Sequence, residues 1–317
     1  MYEHFFGLKE SPFRVNPDPR YLYLTAQVEE ALAGLMHGIK AKKGFVTLIG
    51  EVGTGKTTLV NRLLNWLKEE EVRTAFVFNS RVNSTQLFEY ILAEFEIPCE
   101  SRSKAQQLIK LNHWLIDRYN AGETAVLIVD EAQNLTYPVM EEIRLLTNLE
   151  TSTDKLLQIV LAGQQELEEK LKLPQLRQLR QRISVQCKTS PLTGEQTHAY
   201  VAERLRIAGA NGQPIFSPQA IDAIFGYAHG IPRVINLLCE HALTAAYVEE
   251  KRPIEAPLID EIAKEFQLDQ IPPIAPAGSL TVSQDVYNTE SFVQNLGEAL
   301  SRFRLGPSGT APNRERK

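Results

Sequence analysis

The sequence predicts an α/β chain, a parallel sheet covered on both faces by helices, followed by a small all-helical segment. Three observations predict it. Short apolar runs alternate with amphipathic helical patterns through residues 1–190, and after Pro191 only helical patterns remain. A glycine-rich turn stands between the first such run and the helix after it.

Taken in order, the elements are these. Phe5-Phe6-Gly7-Leu8, Pro12-Phe13 and Asn16-Pro17-Asp18-Pro19 are spaced so that no long helix can form, which predicts an ordered, extended arm wrapped on the body. Thr25 can cap a helix reaching about Lys42, with Val28, Leu32, Leu35 and Ile39 on one face. Gly44 to Ile49 reads as a short buried strand, Gly50 to Gly55 as the glycine-rich turn, and Lys56 to about Glu70 as a helix. Further strands are predicted over 73–78, 125–129 and 156–162, and further helices over 84–96, 103–120 and 138–149. The second segment carries helical patterns over 194–208, 217–228, 231–249 and 257–266. Ser217-Pro218 and Ala256-Pro257 place proline where a helix can begin.

The expected division is an α/β domain with its arm over 1–190, a helical domain over 191–268, and a terminal segment over 269–317. That last segment opens on the linker Ile271-Pro272-Pro273-Ile274-Ala275-Pro276 and ends in an apolar-free stretch expected to be disordered. Between them Phe292, Leu296, Ala299, Leu300 and Phe303 form one helical stripe, predicting a short amphipathic helix within 289–305. It either docks on its own body or lies in a groove of a protein partner.

Composition narrows the function classes. A net charge of −5 gives no global field that would draw the chain onto DNA or an anionic membrane, although a local basic face remains open. Cys99, Cys187 and Cys239 are far apart with no C-x-x-C pair, which argues against a zinc site or a disulfide framework. No apolar run reaches the roughly 18 residues of a membrane span, and Met1-Tyr2-Glu3-His4 does not read as a signal segment. A cytoplasmic protein without direct membrane insertion is expected.

The chemistry starts at Gly50-Glu51-Val52-Gly53-Thr54-Gly55-Lys56-Thr57, which matches G-x-x-x-x-G-K-[ST] between a predicted strand and a predicted helix. Glycines let successive N–H groups turn inward around a phosphate, and the helix N-terminus adds a favourable dipole. Lys56 is expected on the β- and γ-phosphates and the Thr57 hydroxyl on Mg²⁺, with Thr58 completing the binding segment. The strand Val126-Leu127-Ile128-Val129 ends in Asp130-Glu131, delivering carboxylates to the sheet edge where phosphates lie. Asp130 is expected to hold Mg²⁺ through water, and Glu131 to act as general base on the attacking water. As a pair the two acids could also be no more than a helix cap.

Gln164 and Asn79 each follow a predicted strand and are candidates to touch the γ-phosphate, the water or Glu131; the alternative is that each caps a loop. Arg177, Arg180 and Arg182 fall at steps that no single helical face explains. The segment is a solvated basic face, a nucleic-acid patch, or the source of an arginine offered to a neighbour's γ-phosphate. Arg233, in Gly230-Ile231-Pro232-Arg233, stands at a helix start from which it could reach the nucleotide across the cleft.

In this order the motifs resemble those of AAA+ ATPases, the P-loop NTPase class with a helical lid. More narrowly they resemble the ExeA/GspA type linked to the general secretion pathway. The likeness rests on Phe5-Phe6-Gly7-Leu8, the Gly50 to Thr58 loop, Asp130-Glu131-Ala132-Gln133, Leu161-Ala162-Gly163-Gln164, Leu176 to Ile183, and Gly230 to Asn236, covering residues 1–266. The resemblance implies ATP and Mg²⁺ as ligands, Gln164 as sensor 1, Arg182 as arginine finger and Arg233 as sensor 2. It also implies a homo-oligomeric ring.

The leading expectation is an ATP-hydrolysing oligomer that remodels or switches a protein partner in a secretion or envelope process. Similar modules serve DNA transposition, so a DNA-binding regulator is the first alternative and a nucleotide switch with little turnover the second.

Overall fold

Five strands build the sheet: β1 Phe45–Gly50, β2 Arg73–Val77, β3 Ala125–Val129, β4 Leu157–Gly163 and β5 Val185–Thr189. Their order is β2-β3-β4-β1-β5 and every pairing is parallel. All residues of β1, β3 and β4 are buried, which is why these strands read as mainly apolar runs, broken only by Thr47 in β1 and Gln158 in β4. The computed structural model describes residues 1–268 apart from Val15, Asn79, Ser80 and Arg102. The Asn79 strand end, the proline linker and the expected helix within 289–305 lie outside the described residues.

Twelve helices accompany the strands among the described residues. They are α1 Tyr2–Phe6, α2 Ala26–Lys40, α3 Lys56–Glu69, α4 Ser84–Glu94, α5 Lys104–Asn120, α6 Tyr137–Leu146, α7 Gln165–Lys172, α8 Arg177–Arg180, α9 Gly194–Ile207, α10 Pro218–Ala228, α11 Pro232–Val248 and α12 Ala256–Glu265. Their starts are written in the sequence. The Thr25 hydroxyl accepts from the Val28 N–H at 3.2 Å, and Asn83 and Thr193 each close a reciprocal capping box. Such caps contribute about 1 kcal/mol each. None of the described helices is long and apolar enough to cross a membrane.

Two hydrophobic cores form. One lies between the sheet and helices α4 to α8, around Leu87, Leu111, Leu127, Met140 and Ile159. The other joins α9 to α12 around Leu238, Leu243 and Ile259, and it takes in Tyr2, Phe6, Leu8 and Phe13 from the N-terminal arm. The arm therefore departs from the extended course expected of it. Its prolines begin only at Pro12, which leaves residues 2–6 free to form α1, closed by Gly7 at φ +70°.

A second difference is β5, a strand beyond the four that the sequence predicts. It pairs with β1 over Val46↔Val185 to Gly50↔Thr189. Its alternation, with Cys187 and Thr189 buried and Gln186 and Lys188 exposed, is that of an edge strand covered on one face.

Candidate active site

The register brings the carboxyl ends of four strands together. Ile49 lies beside Gly163, Gly50 beside Thr189, and Val129 beside Leu161, so Gly50, Asp130, Gln164 and Thr189 share one edge. Ligands of open α/β sheets sit outside that edge. The loop from Gly50 to Thr57 turns through Gly53 and Gly55, at φ +81° and +92°. The Thr54 hydroxyl donates to the Glu51 carbonyl at 2.8 Å and shares a 2.8 Å bond with the Thr189 hydroxyl. No side chain caps the N-terminus of α3, so its first-turn N–H groups are left to an anion.

Lys56 is only 6% exposed, and its Nζ donates to the Gly50 and Glu51 carbonyls at 2.8 and 2.7 Å. An ammonium has three donors, so one remains. Burial lowers the Lys56 pKa from the ordinary lysine range, and the Glu131 and Asp130 carboxylates pull it part of the way back. Asp130, also 6% exposed, accepts from the Glu131 N–H at 2.8 Å through Oδ1 and from the Thr57 hydroxyl at 3.4 Å through Oδ2. Burial raises its carboxyl above the usual range, against the pull of the Glu131 N–H. A divalent cation would relieve that desolvation, and a hydroxyl and a carboxylate are the hard oxygen donors Mg²⁺ takes. The donor set fits the metal.

Glu131 adopts φ +51°, in the left-handed region that non-glycine residues rarely occupy. That turn presents its carboxylate to two amides. Oε2 accepts from Gln133 Nε2 at 2.5 Å and from Gln164 Nε2 at 3.0 Å. Gln133 in turn accepts the Gln164 N–H at 3.2 Å. The sequence pointed to Glu131 and Gln164 but not to Gln133, whose signal was its place directly after Asp-Glu-Ala.

The loop also meets the helical segment. The Arg233 N–H donates to the Gly53 carbonyl at 3.2 Å, and Arg233 borders the cleft. The cleft, about 640 Å³, is lined by Val52 to Leu59, Glu131, Gln164, Thr189 and Arg233, and by the arm through Arg14 and Tyr21 to Tyr23. Its size suits a small-molecule ligand. Nothing in the residue pattern of the arm predicts that it forms a wall of the cleft. Arg182 is elsewhere: its guanidinium donates to Thr147 Oγ1 at 2.6 Å and to Asn148 Oδ1 at 2.7 Å, beyond α6, and it does not line its own chain's cleft.

Similarity to known proteins agrees with this geometry. The AAA domain family matches residues 39–171. Over 255 residues, 80% of the chain, the sequence is 44% identical to general secretion pathway protein A of Aeromonas hydrophila. The chain belongs to the AAA+ family. Within it, the module is of the general secretion pathway protein A type, although the chain spans about half the length of that curated relative, 46%. Among solved structures, this AAA+ protein is similar in fold to the ORC2 protein of Aeropyrum pernix in its ADPNP-ADP complexes. The TM-score there is 0.60 at 16% identity, over 95% of this chain and 86% of that one. Cdc6p of Pyrobaculum aerophilum gives 0.62 at 19% identity, over 83% and 74%. The RuvB branch migration motor of Thermotoga maritima gives 0.51 at 16%, over 76% and 69%. At such identities the likeness is one of fold. The AAA+ fold is that of a P-loop NTPase.

Proposed function

We propose that this AAA+ protein binds Mg-ATP in the cleft and hydrolyses it as an oligomer in the cytoplasm, to remodel or switch a protein partner of a secretion or envelope-associated pathway. The observation that carries the reading is the Glu131 carboxylate, held by the Gln133 and Gln164 amides on the strand edge that also bears Lys56, Thr57 and Asp130. A general base must be fixed in place before it can act on a water, and two amide donors fix this one. Lys56 and the open N-terminus of α3 bind the phosphates, and Arg233 closes on them from the helical side. Thr57 and Asp130 hold Mg²⁺, which when bound neutralises charge on the phosphates. Arg182, away from its own cleft, serves the nucleotide of a neighbouring subunit. The nucleotide reading is also supported by the ADPNP and ADP complexes of the ORC2 neighbour, and the pathway by the name of the secretion relative.

The test separates binding from chemistry. Lys56→Ala is expected to lose ATP binding, while Glu131→Gln keeps binding and stops phosphate release. A Glu131→Gln protein turning over at the wild-type rate would sink the assignment.

One observation favours a second reading, DNA binding. Arg177 and Arg180 are exposed on α8, and neither takes part in the ion pairs found among the described residues. Binding to duplex DNA should then weaken steeply with salt, since each neutralised phosphate releases counterions. No measurable binding at low salt rejects it.

A further inference from the structure

Arg204, on α9, is 7% exposed, yet its hydrogen bonds go to neutral groups. Nε donates to the Pro12 carbonyl at 2.6 Å and Nη1 to the Tyr200 hydroxyl at 2.9 Å. Three rings surround the guanidinium, with centroids 4.5 Å away for Tyr21, 5.5 Å for Tyr200 and 5.7 Å for Phe13. It forms no ion pair among the described residues. Aromatic faces and the Asp18 carboxylate at longer range offset part of the desolvation of a cation, but a buried charge with no direct ion-pair partner is costly, and a neutral side chain of similar volume would fill this space better. What a neutral chain cannot do is hold two acceptors at a fixed separation with a planar fork.

Those two acceptors belong to different parts of the fold. Pro12 lies in the arm and Tyr200 on α9. The Tyr200 hydroxyl continues to Asn236 on α11 at 2.8 Å, and the Tyr23 ring meets the Tyr200 ring edge-on at 5.8 Å. Further along, the arm's Pro17 carbonyl accepts from Asn61 of α3, the helix that follows the phosphate loop, at 3.2 Å. The arm thus spans from the helical segment to the loop helix, and Arg204 is its joint. Tyr21, Leu22 and Tyr23 of the arm line the cleft beside Leu192, Tyr200 and Arg204 itself. The phosphate loop accounts for the triphosphate. This aromatic and apolar wall is what remains for a base and a ribose.

We propose that Arg204 is a positioning residue for nucleotide binding: it pins the N-terminal arm to α9 and so sets the wall of the cleft that receives the base and ribose. The inference rests on the nucleotide reading of the cleft. A merely structural arginine would affect stability alone, or all ligands equally. A positioning arginine affects only those ligands that carry a nucleoside.

The test titrates ATP, ADP and inorganic tripolyphosphate into the full chain by calorimetry, for the wild type, Arg204→Met, Arg204→Lys and Tyr200→Phe. Arg204→Met should weaken ATP and ADP binding about tenfold or more while tripolyphosphate stays within about twofold. Arg204→Lys, which keeps the charge but has a single nitrogen in place of the two-nitrogen fork that spans both acceptors, should fall between. Equal weakening of tripolyphosphate and ATP, or unchanged ATP affinity, overturns the proposal. A wild type that binds tripolyphosphate but not ATP overturns the nucleotide reading instead. If Arg204→Met does not fold, Tyr200→Phe decides. It keeps the ring and removes the hydroxyl, so it should lose about threefold in ATP affinity alone, and no loss overturns the proposal.

Discussion

Glu131 combines a left-handed backbone with a carboxylate held by two glutamine amides. Neither Gln133 nor Gln164 bonds to the phosphate loop residues that would grip the triphosphate, so their loss should reach the chemical step and not the binding step. Gln133→Ala and Gln164→Ala are each expected to lower kcat by about 10- to 100-fold with the Kd for ATP within about twofold, measured by phosphate release and by titration. An equal loss in affinity would show that they act on the nucleotide itself. The thiols give a residue-level check on the fold. Burial pushes the Cys187 thiol up to about 12 and raises Cys239 further, so at pH 8 almost no thiolate forms at either. Cys99 is half-buried. Iodoacetamide should therefore label Cys99 in the native protein, with Cys187 and Cys239 reacting only in denaturant; mass spectrometry of the adducts decides. At this scale the sequence was most legible where chemistry is local. Lys56, Thr57, Asp130 and Glu131 sit in contiguous motifs whose geometry one turn or strand end determines. Gln133 stands directly after Asp-Glu-Ala, yet its bond to the Glu131 carboxylate depends on the left-handed turn at Glu131, which that position alone does not show.

Helix starts were readable for the same local reason, since Thr25, Asn83, Thr193 and Ser217 each cap from the chain itself. β5 is not, because Arg182 just before it and Lys188 within it read as part of a basic run and hide the alternation of Val185 to Thr189. Contacts between elements were less legible still. A Cβ at Gly53 would come within 2.9 Å of both Arg233 Cβ and Ile231 Cγ2, so the loop and the start of α11 meet at backbone distance. At Gly55 a Cβ would meet nothing within 4 Å, and only the φ of +92° opposes a side chain. The pair predicts a contrast. Gly55→Ala should cost about 1–2 kcal/mol of stability in urea, from backbone strain alone. Gly53→Ala adds a packing conflict of about 1–3 kcal/mol and should also weaken ATP binding, because it pushes Arg233 away from the cleft. Equal losses at the two glycines would mean that the loop does not depend on α11.

For the whole molecule, the arm and Arg182 carry the consequences that no single element shows. The arm's aromatics were visible in the sequence, but which core receives them depends on contacts across the fold, and Tyr2, Phe6 and Phe13 join the helical one. Arg182 was visible too, and the structure locates it beside Thr147 and Asn148, outside the cleft of its own chain. If it serves a neighbour, each site is built from two chains, one giving Lys56 and Glu131 and the other Arg182. A head-to-tail ring meets that requirement, since every subunit then offers its arginine in the same direction. Arg182→Ala and Lys56→Ala should each be inactive alone, the first with ATP affinity retained. Mixed in equal amounts and allowed to exchange, half the subunits bind ATP and half of those face a neighbour that supplies an arginine. About one quarter of wild-type ATPase activity should return. The mixture is followed by phosphate release, with sedimentation confirming assembly on ATP. Recovery near zero in mixed assemblies, or a monomer fully active at every concentration, would place the arginine's action within one chain, and its bonds to Thr147 and Asn148 would then be structural.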